Sequence, residues 1–546
     1  MKLTRRDFTS GLLGATASHL LNPFNLARAE VTELQRVRKA INYAEINLEN
    51  RVISELFPFL SIPNISPRKD FITNVEINER NKAMLDSVRY CKKMLLARGF
   101  KELRANQYKN KNNQEIIENV FVTGKLGNDP SKPTMLIYYH ADVQDVKREA
   151  WVIGNKQYDP FIPTFLTRTT HIKGEKGLGK AILARGSSDD KGQGWTHLFA
   201  IESYQKTNTE LPTNFVVVID HGEENGSPYG NEFVKENREY LKSDIAMIAD
   251  SLSSEDGIPS LDYGLRGILK AKITLDFGND VHSGEGNIIG SAMQEMIHLL
   301  SGIGVDSNLK INIPGIYEDI IPVSELERKL MEAKKSSFTS EALRKTKGLA
   351  YVRNNSDMSN LEVICSLPSF EVHNIEGGKP GTKIPSPITA DVTIRLAPGQ
   401  DPEKVYQKLE DEIYRRIYSK GIPKTFKDKN GNERQTVNVK NEEGSPAVKI
   451  DLAHPYAKAI ESSLLEGFEC SYVDKLCAGG TEPIASVLQD ILRIPVFIFG
   501  YSSPGDNYHG ALESFLLKEG VFYGTKSNII IYDRLAKEII NGGKWK

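Results

Sequence analysis

The chain has 546 residues, past the size at which a single hydrophobic core stops growing, so two or more domains are expected. Hydrophobic residues make up 39% and charged residues 26%, the balance of an ordinary soluble globular protein. Lys and Arg number 70 against 71 Asp and Glu, a formal charge of −1, which offers no basic stripe for nucleic acid and no strong steering field.

At the start of the chain, Thr4-Arg5-Arg6-Asp7-Phe8 precedes a modest apolar run, Gly11 to Leu21, and then Ala27-Arg28-Ala29. A basic start, a short apolar region and an A-x-A site describe a signal peptide over residues 1–29, cleaved near Ala29. The paired arginines resemble the twin-arginine type, which predicts an exported protein, periplasmic or secreted. An amphipathic N-terminal helix is the alternative. The apolar run is too short to span a bilayer and no other stretch is longer, so stable membrane insertion is not expected. Cys91, Cys365, Cys470 and Cys477 show no CxxC pairing, which favours free thiols over a disulfide framework or a zinc knuckle.

From Val31 to Ala97 the apolar residues, among them Met84, Leu85, Val88, Cys91 and Leu95, recur with helical spacing. Short apolar runs follow, each leading into an acidic residue or a histidine. Met135 to Tyr139 runs into His140, Phe215 to Ile219 into Asp220 and then Glu223-Glu224, and Ile245 to Ala249 into Asp250. Pro495 to Phe499 leads into the loop that carries His509. Continuous apolar runs bounded by turns read as buried strands, and helical stretches such as Gly194 to Gln205 lie between them. The alternation predicts an α/β fold, an open mixed sheet with helices on both faces, and ligands collect beyond the carboxyl ends of such strands.

The pattern changes near Gly267. Leu269 to Leu275 and Thr389 to Leu396 alternate as strands with one exposed face, while Gly290 to Leu300 and Pro402 to Lys420 read as amphipathic helices. This predicts a smaller α+β domain over residues 267–450, inserted between catalytic parts at 30–266 and 451–546. Lys427 to Glu443, rich in Lys, Asn and Glu, reads as an exposed hairpin or loop. Asn308 to Asn374 carries no clear pattern.

Several of these residues bear chemistry. His140-Ala141-Asp142 sets an imidazole and a carboxylate on one side of an extended segment, which fits a metal ligand with its orienting partner or a buried hydrogen-bonded pair. Arg185 to Gly192 crowds Asp189, Asp190 and Lys191 into one turn before a helix, more than a helix cap requires. Glu223-Glu224 at a strand end repel each other and call for a cation, a shared proton or divided roles, unless the turn is solvated. Asp250 follows an almost wholly apolar strand, where an unpaired carboxylate is costly. Two imidazoles with three carboxylates and no thiolate suit two divalent ions, zinc with manganese or cobalt as alternatives. A further carboxylate serves as general base and acid.

The order of these blocks, from His140 to His509, resembles the M20 family of co-catalytic metallopeptidases, which includes carnosinase-type dipeptidases, carboxypeptidases and N-acyl-amino-acid deacylases. The resemblance implies that His140 and Asp250 bind one metal, Glu224 and His509 the other, and Asp189 both. It implies that Glu223 is the catalytic acid/base, that Asp142 supports His140 or Glu223, and that the Asp189-Asp190 peptide is cis. The smaller domain resembles the family's ferredoxin-like lid, which implies a homodimer. In it His282 stabilises the oxyanion in the partner's site and Arg395 binds the substrate carboxylate. Thr382, Gly480 and Thr481 match further substrate contacts. The chain departs from the pattern at Leu512-Glu513, where many relatives have Asn-Glu, and at Glu482, where many have Asp.

The expected activity is therefore hydrolysis of a peptide or amide bond in a small substrate with a free carboxylate. Asp189-Asp190-Lys191-Gly192 and Tyr263 to Gly267 resemble the dipeptidase branch. An N-acyl-amino-acid deacylase using the same site is the alternative, and a non-catalytic metal- or peptide-binding protein a remote one.

Overall fold

The computed structural model describes residues 23–542 apart from 67–73, 173, 307, 354–357, 479 and 481. The basic and apolar parts of the expected signal peptide lie outside the described residues, and Ala27-Arg28-Ala29 falls within helix Pro23–Arg51. Among the described residues, no helix is long and apolar enough to cross a membrane.

The apolar runs form the middle of a nine-stranded mixed sheet. Thr134–His140 lies between Asn214–Asp220 and Ile245–Ile248, parallel to both, and Val496–Gly500 continues in parallel beyond Ile245–Ile248. Antiparallel strands Lys101–Lys109 and Ile117–Leu126 extend one side, and Ser260–Leu265 the other. Successive side chains of a strand point to opposite faces, and here both faces are covered. Tyr139 packs against helix Lys191–Lys206, while its neighbour Tyr138 points to the other side and hydrogen-bonds Asp220 at 3.0 Å. The chain leaves Thr134–His140 for the strand on one side and later returns to the strand on the other. The carboxyl end of this strand thus opens on the crevice where α/β sheets place their ligands.

A second sheet has four antiparallel strands in the order Ser369–Glu376, Ile388–Leu396, Gly267–Leu275, Val437–Ser445. Helices Ala292–Ile303 and Pro402–Tyr418 contribute to its own core with Leu269, Ile273, Ala390, Val392 and Ile394. The connection βαββαβ with this strand order is the ferredoxin-like arrangement. The chain crosses between the two sheets at Arg266, where a Cβ on Gly267 would come within 2.5 Å of the Ser445 carbonyl, so only glycine fits.

One expectation is corrected. Lys427 to Glu443 is not all exposed loop. After a hairpin of Thr425–Lys427 with Glu433–Gln435, the strand Val437–Ser445 buries Val437 and Val439 in the second sheet's core. Its alternation was hidden by the polar residues on its open face. In the unassigned stretch, helices Glu325–Lys334 and Asn360–Ser366 place Met331, Leu361 and Cys365 in the core of the larger sheet, not the smaller one. All four cysteines are free.

Candidate metal centre

The parallel strands bring the predicted ligands to one edge. His140 ends its strand, Asp250 lies just beyond Ile245–Ile248, Glu223 and Glu224 occupy the turn after Asn214–Asp220, and His509 sits in the loop after Val496–Gly500. Asp189 arrives from off the sheet, in the polar turn that opens helix Lys191–Lys206, and the Asp189-Asp190 peptide is cis.

Asp189 is central to the group. Its Oδ1 lies 3.0 Å from His140 Nε2 and its Oδ2 lies 2.8 Å from His509 Nε2. His140 Nε2 is also 3.5 Å from Asp250 Oδ2 and 3.8 Å from Glu223 Oε2. His509 Nε2 is 3.2 Å from Glu224 Oε2. His140 is fully buried whereas the His509 side chain is 51% exposed, so the cluster meets solvent at His509.

Asp142 serves both partners that the sequence allowed it. Its carbonyl oxygen lies 3.0 Å from His140 Nδ1, which leaves Nε2 facing the carboxylates. Its carboxylate accepts the backbone N–H of Glu223 and of Glu224, each at 3.1 Å. Glu513, fully buried, accepts the N–H of Ser188 at 2.9 Å and of Asp189 at 3.0 Å, and pairs with Arg185 at 2.7 Å.

Three residues not assigned to the site from sequence join it. Oxygens of Glu482, Glu223 and Asp250 lie within 4.8 Å of one another. Asp190 forms a similar trio with His140 and Asp250, and its Oδ2 accepts the His140 N–H at 3.3 Å. Gln144 donates to Glu224 Oε2 at 2.6 Å. The signal that marked Asp250, an almost wholly apolar run ending directly in a carboxylate, is absent for Glu482: the strand before it, Asp474–Ala478, carries Asp and Lys.

The electrostatics follow from packing so many carboxylates into a buried space. Burial, with Asp250 close by, pushes the Glu482 carboxyl up to about 8. Burial likewise lifts Asp250 to about 6, Glu224 to about 7, and Glu223 well above the carboxylate range, with Glu482 adding to the last. Asp189 goes the other way. Burial would raise it, but hydrogen bonds from His140 and His509 outweigh that and hold it below the usual range. The hydrogen bonds with Asp189 and Glu224 raise His509 to about 10.

The donor set fits divalent cations. It offers two imidazoles and several carboxylates without a thiolate, a hard-to-borderline set. Buried oxygens Glu224 Oε1, Asp190 Oδ1 and Glu482 Oε1 have no hydrogen-bond partner among the described residues, which leaves lone pairs for ligation.

The remaining predicted residues are not among the groups that share these carboxylates. His282 is exposed in a short strand paired with Lys383–Ile384, and the Thr382 carbonyl accepts the Ser283 N–H at 2.8 Å, so His282 and Thr382 are neighbours. Arg395 stands on the open face of the second sheet, in a cleft of about 600 Å³ with Lys270, His373 and Glu442. Gly480 is exposed and accepts the Arg266 N–H at 3.0 Å; Thr481 lies outside the described residues.

The Cys-Gly metallodipeptidase DUG1 of Candida albicans is 34% identical over 309 residues, 55% of this chain and 59% of that protein. The Beta-Ala-His dipeptidase of Rattus norvegicus is 26% identical over 401 residues, 72% of this chain and 75% of that one. The fold matches the solved dipeptidase Dug1p of Saccharomyces cerevisiae with a TM-score of 0.69 at 22% identity, covering 92% of this chain and 98% of that one. It also matches the metallo-carboxypeptidase Sso-CP2 of Sulfolobus solfataricus, TM-score 0.68 at 23% identity, covering 89% and 98%. The model of the peptidase family M20/M25/M40 matches residues 136–526, from within the His140 strand to beyond His509, and the chain belongs to that family.

Proposed function

We propose that the protein is a two-metal dipeptidase. The observation that carries this reading is Asp189, a single carboxylate whose two oxygens face two different imidazoles, at 3.0 Å from His140 and 2.8 Å from His509. That is the donor arrangement for a carboxylate shared between two ions. His140 and Asp250 would hold one, Glu224 and His509 the other. When bound, the ions, zinc with manganese or cobalt as alternatives, supply Lewis-acid polarisation of the scissile carbonyl and acidify water.

The chain's own residues do the rest. Glu223, beside the cluster and held through its backbone by Asp142, takes the proton of the attacking water and passes it to the leaving amine. Arg395 presents a guanidinium suited to a substrate carboxylate, with Thr382, Gly480 and Thr481 as further contacts. His282, exposed on the smaller unit, is free to serve the site of a second copy in a homodimer. Arg5-Arg6 and the apolar run after them support export through a twin-arginine-type signal.

Dipeptides are favoured over N-acyl amino acids because the DUG1 and Beta-Ala-His relatives reported above are dipeptidases by name. Assays on a series of dipeptides and their N-acetylated counterparts test this. Hydrolysis of the free dipeptides supports it, and preference for the N-acetyl compounds replaces it with the deacylase.

A further inference from the structure

His509 belongs to a loop with three non-glycine residues of positive φ. Asn507, His509 and Leu512 have φ of 53°, 58° and 61°, in the left-handed region that side chains with a Cβ disfavour. Such a conformation persists only where the surroundings over-determine it. Two buried carboxylates do so, one on each side of His509.

On the C-terminal side Glu513 accepts the Ser188 and Asp189 N–H groups, and its partner Arg185 also donates to the Gly510 carbonyl at 2.8 Å. On the N-terminal side Asp506 accepts the Ser503 N–H at 2.8 Å and the Ser188 hydroxyl at 3.4 Å. Ser188, next to Asp189, thus donates its N–H to Glu513, while its hydroxyl lies 2.6 Å from that of Ser502 and reaches Asp506 at the longer distance.

Asp506 is in turn held by Arg168, which comes from a hairpin, Thr164–Ile172 with Glu175–Leu183, that contributes nothing to the cluster itself. Arg168 Nη2 lies 2.7 Å from Asp506 Oδ1 and 2.9 Å from Asp256 Oδ1, and Asp256 belongs to the segment that follows Asp250. The side chains of Arg168, Asp256 and Asp506 are 11%, 5% and 2% exposed. A cleft of about 560 Å³, lined by Arg168, Leu183, Gly505, Asn507 and Leu512, lies between hairpin and loop. On this side the Arg168 ion pairs tie the loop together with the Leu252–Ser502 bridge and the Ser503 hydroxyl bond to Asp256.

We propose that Arg168 is a positioning residue for His509: through Asp506 it holds the His509 loop against Ser188-Asp189, and so sets the affinity of the metal site that includes His509 without touching a metal. The inference rests on the two-metal reading. Loss of an outer partner of a metal ligand typically weakens binding about 10–100-fold. An arginine one step further out should cost about tenfold at the His509 site and little at the other.

The test is calorimetric titration of metal-free protein with Zn²⁺, on the unaltered chain, Arg168→Met, Arg168→Lys and Asp506→Asn, beside the melting temperature of each metal-free form. Arg168→Met strands two buried carboxylates, so Arg168→Lys and Asp506→Asn, which keep the volume, carry the test if it does not fold. The expected result is two sites in the unaltered chain, a selective loss of about tenfold at one of them in Arg168→Met and Asp506→Asn, and partial recovery in Arg168→Lys. Two unchanged affinities in any folded variant of Met or Asn type would overturn the proposal. Equal weakening of both sites would do so too, since it would mark Arg168 as a general prop of the fold. Fewer than two sites in the unaltered chain would instead count against the two-metal reading.

Discussion

Asp142 accepts the backbone N–H of Glu223 at one carboxylate oxygen and that of Glu224 at the other, both at 3.1 Å. One side chain thus sets the place of the expected base and of an expected ligand, while its carbonyl orients His140. Asp142→Ala should lower metal affinity about 10–100-fold and reduce turnover at saturating metal as well. Metal titration and steady-state kinetics on the same preparation check it; a loss of stability alone would contradict the role.

Glu223 and Glu224 are adjacent yet point to different work. Glu224 meets His509 and Gln144, whereas Glu223 lies between His140 and Glu482. Glu223→Ala should cut kcat by about 10²–10⁴ while both metals remain bound. Elemental analysis of the purified variant decides the matter, because loss of one metal together with activity would mean that the two glutamates have exchanged roles.

In a helix interior, Gly→Ala ordinarily stabilises by about 0.5–1 kcal/mol. Gly194 should behave the other way. A Cβ there would meet the Tyr139 ring at 2.3 Å, and that ring is fully buried one residue before His140. Overpacking of about 1–3 kcal/mol should win, so Gly194→Ala should unfold at lower urea concentration.

The crowded carboxylates predict an unusual pH response for the metal-free protein. Asp250, Glu224 and Glu482 rise to about 6, 7 and 8 when folded, from ordinary values of 3.8, 4.5 and 4.5. The folded state then binds more protons than the unfolded one, so their contribution is present at low pH and lost as pH rises through those values. His509, raised to about 10, loses its contribution in the same direction. The melting temperature in chelator should therefore fall between roughly pH 5.5 and 8, and saturating Zn²⁺ should remove most of the slope. A melting temperature that climbs over this range in chelator would contradict the crowding.

Much of this site was legible because the four parallel strands are almost purely apolar, so a His or Asp directly after one stands out. Asp189 and His509 were harder, since each lies on a loop whose path the sequence does not state; a crowded polar turn marked the first and a preceding apolar strand the second, and the ordered set of blocks joined them to the rest. Glu482 escaped assignment because it stood out only as a departure from the family pattern, and the residues before it, Asp474 to Ala478, do not form an apolar run; in the structure its side chain makes no cap hydrogen bond. Arg168 gave no signal at all. Its partners Asp256 and Asp506 are 88 and 338 residues away, and an arginine in an alternating polar hairpin looks solvated until the chain closes on it. The strand Val437–Ser445 was obscured in a similar way, by polar residues on its open face.

The measurement that bears most directly on the central claim is dipeptide hydrolysis during stepwise return of Zn²⁺ or Mn²⁺ to the metal-free protein. Activity should rise to its plateau at two equivalents per chain and be lower by about 10²–10⁴ in Glu223→Ala at the same loading. A plateau at one equivalent, or no hydrolysis of any dipeptide at two, would contradict a two-metal dipeptidase built around Asp189.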